Sequence, residues 1–494
     1  MNKGHRPLCF ANLCRFPAAT MPNKRQCISQ HSKKAGAHPS LRRLPVMFAV
    51  ALALLEPPAA YAYLDPGTGS MLLSVFVGLV SGIYFLIRKL PAAARSLFFR
   101  ITGKTDQMKG SDLVFYAESA AYWGTFRPVL EALDKLGIHS TYLTSAENDP
   151  VFQSDLKCVK ARYIGKANSA YTALGFLEAR VFVLTTPGID VLQIRRSRGV
   201  GRYVHLVHSV SDIHTYKLFS FDYYDTIICS GPAQVKSLRA LESIRHTRPK
   251  KLIEAGCAYL DALASRAAAA AAPEQKTIIV APTWGRNGLL TRTEAMIPKL
   301  LVQAGWHVIL RPHPQSFVSE IDLMKKIADE LRPFEEAGKL EWDRQPDGFA
   351  SLSRSRLMIS DISGVIFDFA FVFLRPVISV GAGPVKDGFE AWDIPSPAWE
   401  MSALESLGVR ILPGNEAKIP DAVNALLAKP AAAREQILSI RKANIVNFGA
   451  AAPAIAQAIV DELAAAGGSL PKALEEHSAM QSDGVLNAPE TQHA

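Results

Sequence analysis

The chain has 494 residues, more than one compact core organises, because single cores stop growing near roughly 250 to 300 residues. With 49% hydrophobic and 20% charged residues it can bury enough apolar surface to offset the entropy of folding, which excludes a chain disordered throughout. The net charge of +10 invites a nucleic-acid reading, but residues 1–45 carry nine Lys or Arg and no acid. Residues 88–104 add Arg88, Lys89, Arg95, Arg100 and Lys104, and residues 105–466 net only +1. A nearly neutral body offers no basic stripe, so nucleic acid is not an expected partner.

The six cysteines, Cys9, Cys14, Cys27, Cys158, Cys229 and Cys257, form no CxxC pair and no His/Cys cluster at zinc spacing. That predicts reduced thiols, no metal site of that kind, and a cytoplasmic body.

From the N-terminus, Arg42 and Arg43 precede the apolar run Leu44 to Leu55, then Pro57, Pro58 and Ala60-Tyr61-Ala62. This fits a secretory signal cleaved after Ala62 and equally the first arm of a membrane hairpin; Met21 is an alternative start. A turn-rich link, Tyr63 to Ser70, leads into residues 71–87, seventeen positions without a charge, the length of a short transmembrane helix. The basic stretch 88–104 follows at once, and the positive-inside rule then predicts a single-pass protein of the inner membrane with everything after Ile87 cytoplasmic. Residues 1–62 therefore read as a basic leader and signal-like segment, and 63–104 as turn, membrane helix and juxtamembrane stretch.

From Asp112 the chain alternates short apolar runs with helical stretches, the pattern of parallel sheets covered by helices. Strands are predicted at Leu113–Tyr116, Arg180–Leu184, Tyr203–Val207, Thr226–Cys229 and Lys251–Ala255, with a helix at Pro128–Leu136. The alanine-rich stretch 267–272 reads as a domain junction or a helix extension. Strands resume at Thr277–Ala281, Trp306–Leu310, Leu357–Ser360 and Val377–Val380, with helices at Glu294–Ala304 and Glu320–Leu331, then helices to about Ala466, one of which could return to the first half. The fold class is α/β, with two Rossmann-like doubly wound domains, residues 111–265 and 276–466, facing a cleft; residues 467–494 read as a disordered tail.

Open parallel sheets bind ligands at the carboxyl ends of their strands, so motifs there carry the most weight. In Ser360-Asp361-Ile362-Ser363-Gly364-Val365-Ile366-Phe367-Asp368, Ser363 reads as an N-cap, and with Gly364 it leaves backbone N–H groups at the positive end of a helix dipole, suited to a pyrophosphate. An ordinary capped helix is the alternative. Asp368, inside VIFDFAFVF, needs a buried partner or a function. In Val308-Ile309-Leu310-Arg311-Pro312-His313-Pro314, two prolines fix His313 beside Arg311, where they could bind phosphate or protonate a leaving group. In Val204-His205-Leu206-Val207-His208-Ser209, alternation puts the two histidines on opposite faces, and His208, at the tip, is the candidate general base. Ala281-Pro282-Thr283-Trp284-Gly285-Arg286 offers Thr283 and Arg286 to phosphate or sugar hydroxyls. Each of these could instead be turn or core chemistry.

In this order, VHLVHS, FDYYDTIICSG, IEAGCAYLDAL, APTWGRNG, LRPHP and SDISGVIFDFAF, spanning roughly residues 180–385, resemble motifs of the CDP-glycerol glycerophosphotransferase family, whose polymerases and primases build teichoic-acid type polymers on a GT-B fold. The resemblance implies that His208 activates the acceptor, that His313 and Arg311 meet the CDP phosphates, and that Ser360, Asp361 and Ser363 hold the pyrophosphate. This chain departs from the family pattern at Ser209, Arg286, Gly364 and Ile362, which leaves the donor open between CDP-linked and UDP-linked groups. The expected function is a membrane-anchored transferase moving a glycerol phosphate, or a similar polyol phosphate, from a CDP-linked donor to a lipid-linked glycan or polysaccharide during cell-envelope polymer biosynthesis. A nucleotide-sugar glycosyltransferase and a non-catalytic envelope-assembly protein are the alternatives. No cofactor is expected, and no clustered carboxylates call for Mg2+.

Overall fold

A computed structural model describes residues 77–82, 111–381 and 386–471. Residues 77–82 are helical and exposed and belong to a unit, Met1–Lys89, separate from Leu90–Ala494. The signal-like segment, the rest of the predicted membrane helix, the juxtamembrane stretch and most of the tail lie outside the described residues. Among the described residues no helix is long and apolar enough to cross a membrane.

The larger unit holds two parallel sheets. The first half contains β1 (Leu113–Ala117), α1 (Trp123–Lys135), β2 (Ser140–Thr144), β3 (Val159–Tyr163), α2 (Asn168–Leu174), β4 (Glu178–Leu184), β5 (Gly199–Leu206), β6 (Thr226–Cys229), α3 (Pro232–Arg245), β7 (Lys251–Glu254) and α4 (Ala258–Ala268). The second contains β8 (Thr277–Val280), α5 (Leu289–Thr293), α6 (Met296–Gln303), β9 (His307–Leu310), α7 (Ser316–Ser319), α8 (Ile321–Glu336), β10 (Leu340–Trp342), α9 (Phe349–Arg354), β11 (Leu357–Ser360), α10 (Val365–Phe373) and β12 (Val377–Val380). It closes with α11 (Trp399–Ser406), β13 (Gly408–Ile411), α12 (Ile419–Leu427), α13 (Pro430–Asn444) and α14 (Ala451–Ala465).

The sheet orders are β3-β2-β1-β4-β5-β6-β7 and β10-β9-β8-β11-β12-β13, and every pairing is parallel. Central strands such as LVFYA, TIIV and LMIS are buried at every position, because helices cover both faces of a parallel sheet and neither side can be polar. In both sheets the chain runs outward in one direction and then returns to the other side of the first strand, creating a switch point whose crevice opens at the strands' carboxyl ends.

Two crossings join the halves. The alanine-rich α14 packs Ala451, Ile455, Ile459 and Leu463 into the core of the first sheet, beside Phe115, Phe126 and Leu130. Its Glu462 is fully buried and is held by Arg202 at 3.2 Å, Lys251 at 2.8 Å and the Thr226 hydroxyl at 2.9 Å, one partner from each of β5, β6 and β7. Asp261 of α4 accepts from the backbone N–H groups of Gly449, at 2.7 Å, and Ala451, at 2.8 Å, satisfying donors at the start of α14.

The second crossing is the strap between β12 and α11. Phe389 bridges to Lys217, Glu390 N–H donates to the Tyr216 carbonyl at 2.7 Å, and Ile394 enters the core of the first sheet. Glu390, fully buried, accepts from Ser220 N–H at 2.8 Å and pairs with Arg245. That guanidinium also reaches Asp222 and Asp393, each at 2.8 Å.

The sequence expectations need four corrections. The helix expected at Pro128–Leu136 starts at Trp123. Strands β2, β3 and β10 form where none was expected. β13 interrupts the stretch expected to be helical throughout. Past Ala466 the chain is still anchored: Ser469 donates twice to Asp112, at 2.8 Å and 2.9 Å. Of the alanine-rich stretch 267–272, only the first two residues belong to α4.

Truncating Arg245 to Ala strands Glu390 as a buried, unpaired carboxylate, a change that typically costs about 3 to 5 kcal/mol. Chemical denaturation of the variant is expected to show a midpoint lowered to match; an unchanged midpoint would remove the strap from the interactions that hold the halves together.

Candidate functional site

The carboxyl end of β5 faces the amino end of α10 across the boundary between the halves. A Cβ placed on Gly364 would lie 3.7 Å from the hydroxyl oxygens of both Ser209 and Ser211. Gly364 itself is the N-cap, and no side chain caps the helix. The expectation that Ser363 would be the cap is corrected, and the positive end of α10 is left toward the β5 loop.

Residues 209–211 are held by Gln234 of α3, whose carboxamide accepts from Ser230 N–H at 2.8 Å and donates to the carbonyls of Ser209, at 3.0 Å, and Ser211, at 2.7 Å. His208 is half-buried, its ring edge-on to Tyr122 at 5.2 Å and Tyr216 at 6.4 Å. Its Nδ1 is buried without a hydrogen-bond partner. Burial lowers its pKa to about 4, so the imidazole is neutral at physiological pH and able to accept a proton. His205, within β5, is fully buried against Phe221 and Tyr224 and shares Tyr216 with His208, and burial pushes its pKa down to about 3.

Beneath the loop is a buried polar cluster that sequence reading missed. Asp212 accepts from Ile213 N–H at 2.8 Å and from the Ser237 hydroxyl at 3.0 Å, and its own N–H donates to Glu400. His214 is 3.4 Å from the Asp212 carboxylate and 2.9 Å from the Ser396 carbonyl. Burial, with Asp212 next to it, raises Glu400 to about 7. The cluster links the β5 loop to α11 of the other half, a pairing 188 residues apart that no local motif signals.

The second half adds the loops after β8, β9 and β11. Asp361 is buried, its two oxygens accepting from Thr283 N–H at 2.8 Å and Leu289 N–H at 2.7 Å. The Ser360 hydroxyl, fully buried, donates to the Ala281 carbonyl at 2.6 Å. Both were expected to contact a pyrophosphate; in the structure their polar atoms hold the 281–289 loop. Arg311, expected to meet phosphate, is engaged by Asp343 at 2.7 Å and the Gln345 carbonyl at 3.0 Å. His313, by contrast, is exposed. Its Nδ1 accepts from Gln315 N–H at 3.1 Å, so in the neutral ring Nε2 carries the proton and faces outward as a donor. The Trp284 ring lies 6.2 Å away, and Arg286 is exposed on the same loop.

Asp368 lies one turn into α10. Burial raises its pKa to about 7, and its charge is also the leading cause that raises Tyr259 of α4. The structure thus brings His208, Gly364, Asp368 and Tyr259 to the boundary and sets Trp284, Arg286 and His313 along the adjoining strand ends. No group of three or more His, Cys, Asp or Glu among the described residues has metal-binding geometry.

The architecture, two parallel-sheet α/β domains with their carboxyl edges toward a shared boundary, is of the GT-B type. No family model matches the sequence, and no curated protein matches it. Among solved structures, the wall teichoic acid polymerase TagF superposes with a TM-score of 0.50 at 16% identity, over 79% of this chain and 98% of that one. A TagF variant gives 0.51 over the same shares, and a variant soaked with CDPG gives 0.50 over 75% of this chain and 96% of that one. This chain has the TagF fold.

Because Asp368 has a raised folded-state pKa, its contribution is complete below its ordinary value of 3.8 and is lost as the pH rises through about 7. Asp368→Asn, which mimics the protonated form, is therefore expected to raise the melting temperature more at pH 8 than at pH 5. An equal shift at both values would mean that the carboxyl is ordinarily solvated.

Proposed function

We propose that this chain transfers a glycerol phosphate, or a similar polyol phosphate, from a CDP-linked donor to a hydroxyl of a lipid-linked glycan or polymer. The observation that carries the reading is the meeting of the His208 loop with the uncapped start of α10 at the domain boundary. It brings Ser209 and Ser211, the residues that follow the neutral His208 imidazole, to the helix end whose backbone N–H groups are open, which supports a base and an anion-stabilising group acting together, the two functions that such a transfer needs. The TagF fold and the order of the six sequence motifs support the donor class.

In the proposed step the acceptor hydroxyl gives its proton to His208 while its oxygen bonds to the donor phosphorus that bears the polyol. The bond from that phosphorus to the bridging oxygen breaks, and CMP leaves with the electron pair. The positive end of α10 and the outward Nε2–H of His313 neutralise the charge gathering on the phosphate oxygens, so positioning and electrostatics carry the reaction. Thr283, Arg286, Ser363 and Gly364 line the donor side. Ser360 and Asp361 act indirectly by holding the 281–289 loop, and Arg311 by holding residues 343–346. The uncharged run 71–87 with its basic flank supports a single-pass place in the inner membrane, catalytic domains cytoplasmic.

CDP-glycerol or CDP-ribitol is expected to raise the melting temperature of the full chain, and His208→Ala to abolish transfer while leaving that rise intact. A rise only with UDP-sugars would make the protein a glycosyltransferase, and full turnover by the variant would remove His208 as the base. The acid limb of kcat/KM, which reports the free enzyme, is expected near pH 4, where His208 titrates; a limb near 6.5 would contradict its desolvation.

A further inference from the structure

One feature of the first half that this reading leaves unused is a cavity of about 420 Å3, within the usual size range of small-molecule sites, roughly 300 to 1,000 Å3. It lies at the carboxyl ends of β1, β2 and β3, and its central residue, Glu118, directly follows β1, the strand at which the sheet order reverses. Crevices at such switch points are where open α/β sheets seat ligands.

The lining has a definite chemistry. Glu118 is half-buried and accepts from the Tyr171 hydroxyl at 3.3 Å; burial raises its pKa above the usual carboxylate range. Tyr116, fully buried, shares a hydrogen bond with Ser145 at 2.9 Å. Lys166, the one cation of the lining, is 3.4 Å from Glu147. No cation is left over to meet a phosphate, and Glu118 repels one. What remains is a carboxylate that accepts hydrogen bonds, hydroxyls that give or take them, and two aromatic bodies.

We propose that this cavity binds a neutral polyhydroxylated unit, a glycosyl or polyol residue, with Glu118 accepting from its hydroxyls and Tyr171 orienting the carboxylate. The 3-10 turn Ala120–Tyr122 runs from the cavity wall to the ring that touches His208. β1 and β5 are separated by β4 alone, two strand spacings or about 10 Å. A unit in the cavity therefore leaves its neighbour on the same acceptor within reach of His208. The role as acceptor subsite rests on the proposed transfer; the binding does not.

The test uses saturation-transfer NMR on the full chain, with methyl β-glucoside, methyl N-acetyl-β-glucosaminide, glycerol and inorganic phosphate as separate probes. Saturation of a glycoside or of glycerol is expected for the wild type, with affinity about tenfold weaker in Glu118→Gln, as follows from losing hydrogen bonds to a charged acceptor. CDP-glycerol should stabilise both proteins equally. Ala146→Trp, which fills the cavity from the loop after β2, should abolish the signal and decides the question if Glu118→Gln unfolds. Undiminished saturation in Ala146→Trp, or displacement of the glycoside by phosphate, would overturn the assignment. Nucleotide binding without glycoside binding removes only this subsite. Glycoside binding without nucleotide binding removes only the transferase reading.

Discussion

The architecture depends on two carboxylates buried at the places where the chain crosses between its halves. Glu390 carries the strap into the first sheet's territory, where Arg245 awaits it. Glu462 carries α14 under β5, β6 and β7. Neither could stay charged in an apolar interior without its partners, so each crossing holds only when the opposite half is properly formed. Apolar burial supplies the attraction and the ion pairs supply the register. The result is that the β5 loop and the start of α10 lie so close that a Cβ added at Gly364 would touch the Ser209 and Ser211 hydroxyls, although they belong to different domains.

On the proposed reading, a body with a net charge near zero would handle phosphates differently from a basic surface. In this site the means are placed dipoles and neutral imidazoles: the open end of α10, the outward Nε2–H of His313, and a His208 kept uncharged by burial. Such donors act where negative charge gathers and attract little elsewhere. The same restraint appears on the first half, where the one lysine of the switch-point cavity is neutralised by Glu147. On the two proposals together, the second half would serve the phosphate and the first the hydroxyls.

Much of this fold is legible in the sequence, and what is not has physical reasons. TIIC, LMIS and VISV announce themselves because central parallel strands are buried on both faces. β3, VKARY, is an edge strand with none of its residues fully buried, and β10 is three residues long, so neither has a periodicity to detect. His208 can be picked out because it stands just past the carboxyl end of an apolar strand, two residues beyond Leu206. Ser360, Asp361 and Arg311 escape such reading because residue type and strand-end position do not reveal their partners. Those partners are a carbonyl 79 residues away, two amides 78 and 72 residues away, and a carboxylate 32 residues away. The Asp212–Glu400 cluster and the Glu118 cavity arise only when distant segments pack, and short motifs carry no trace of them.

The return of α14 to the first domain bears on how the protein is made. Ala451, Ile455, Ile459 and Leu463 fill the core against Phe115, Phe126 and Leu130, so the domain translated first lacks part of its interior until α14 has been made. During synthesis one face of β1, β4 and β5 stays uncovered while some two hundred further residues emerge, and the second domain can close before the first. A chain cut short before α14 would leave the core of its opening domain without Ala451, Ile455, Ile459 and Leu463.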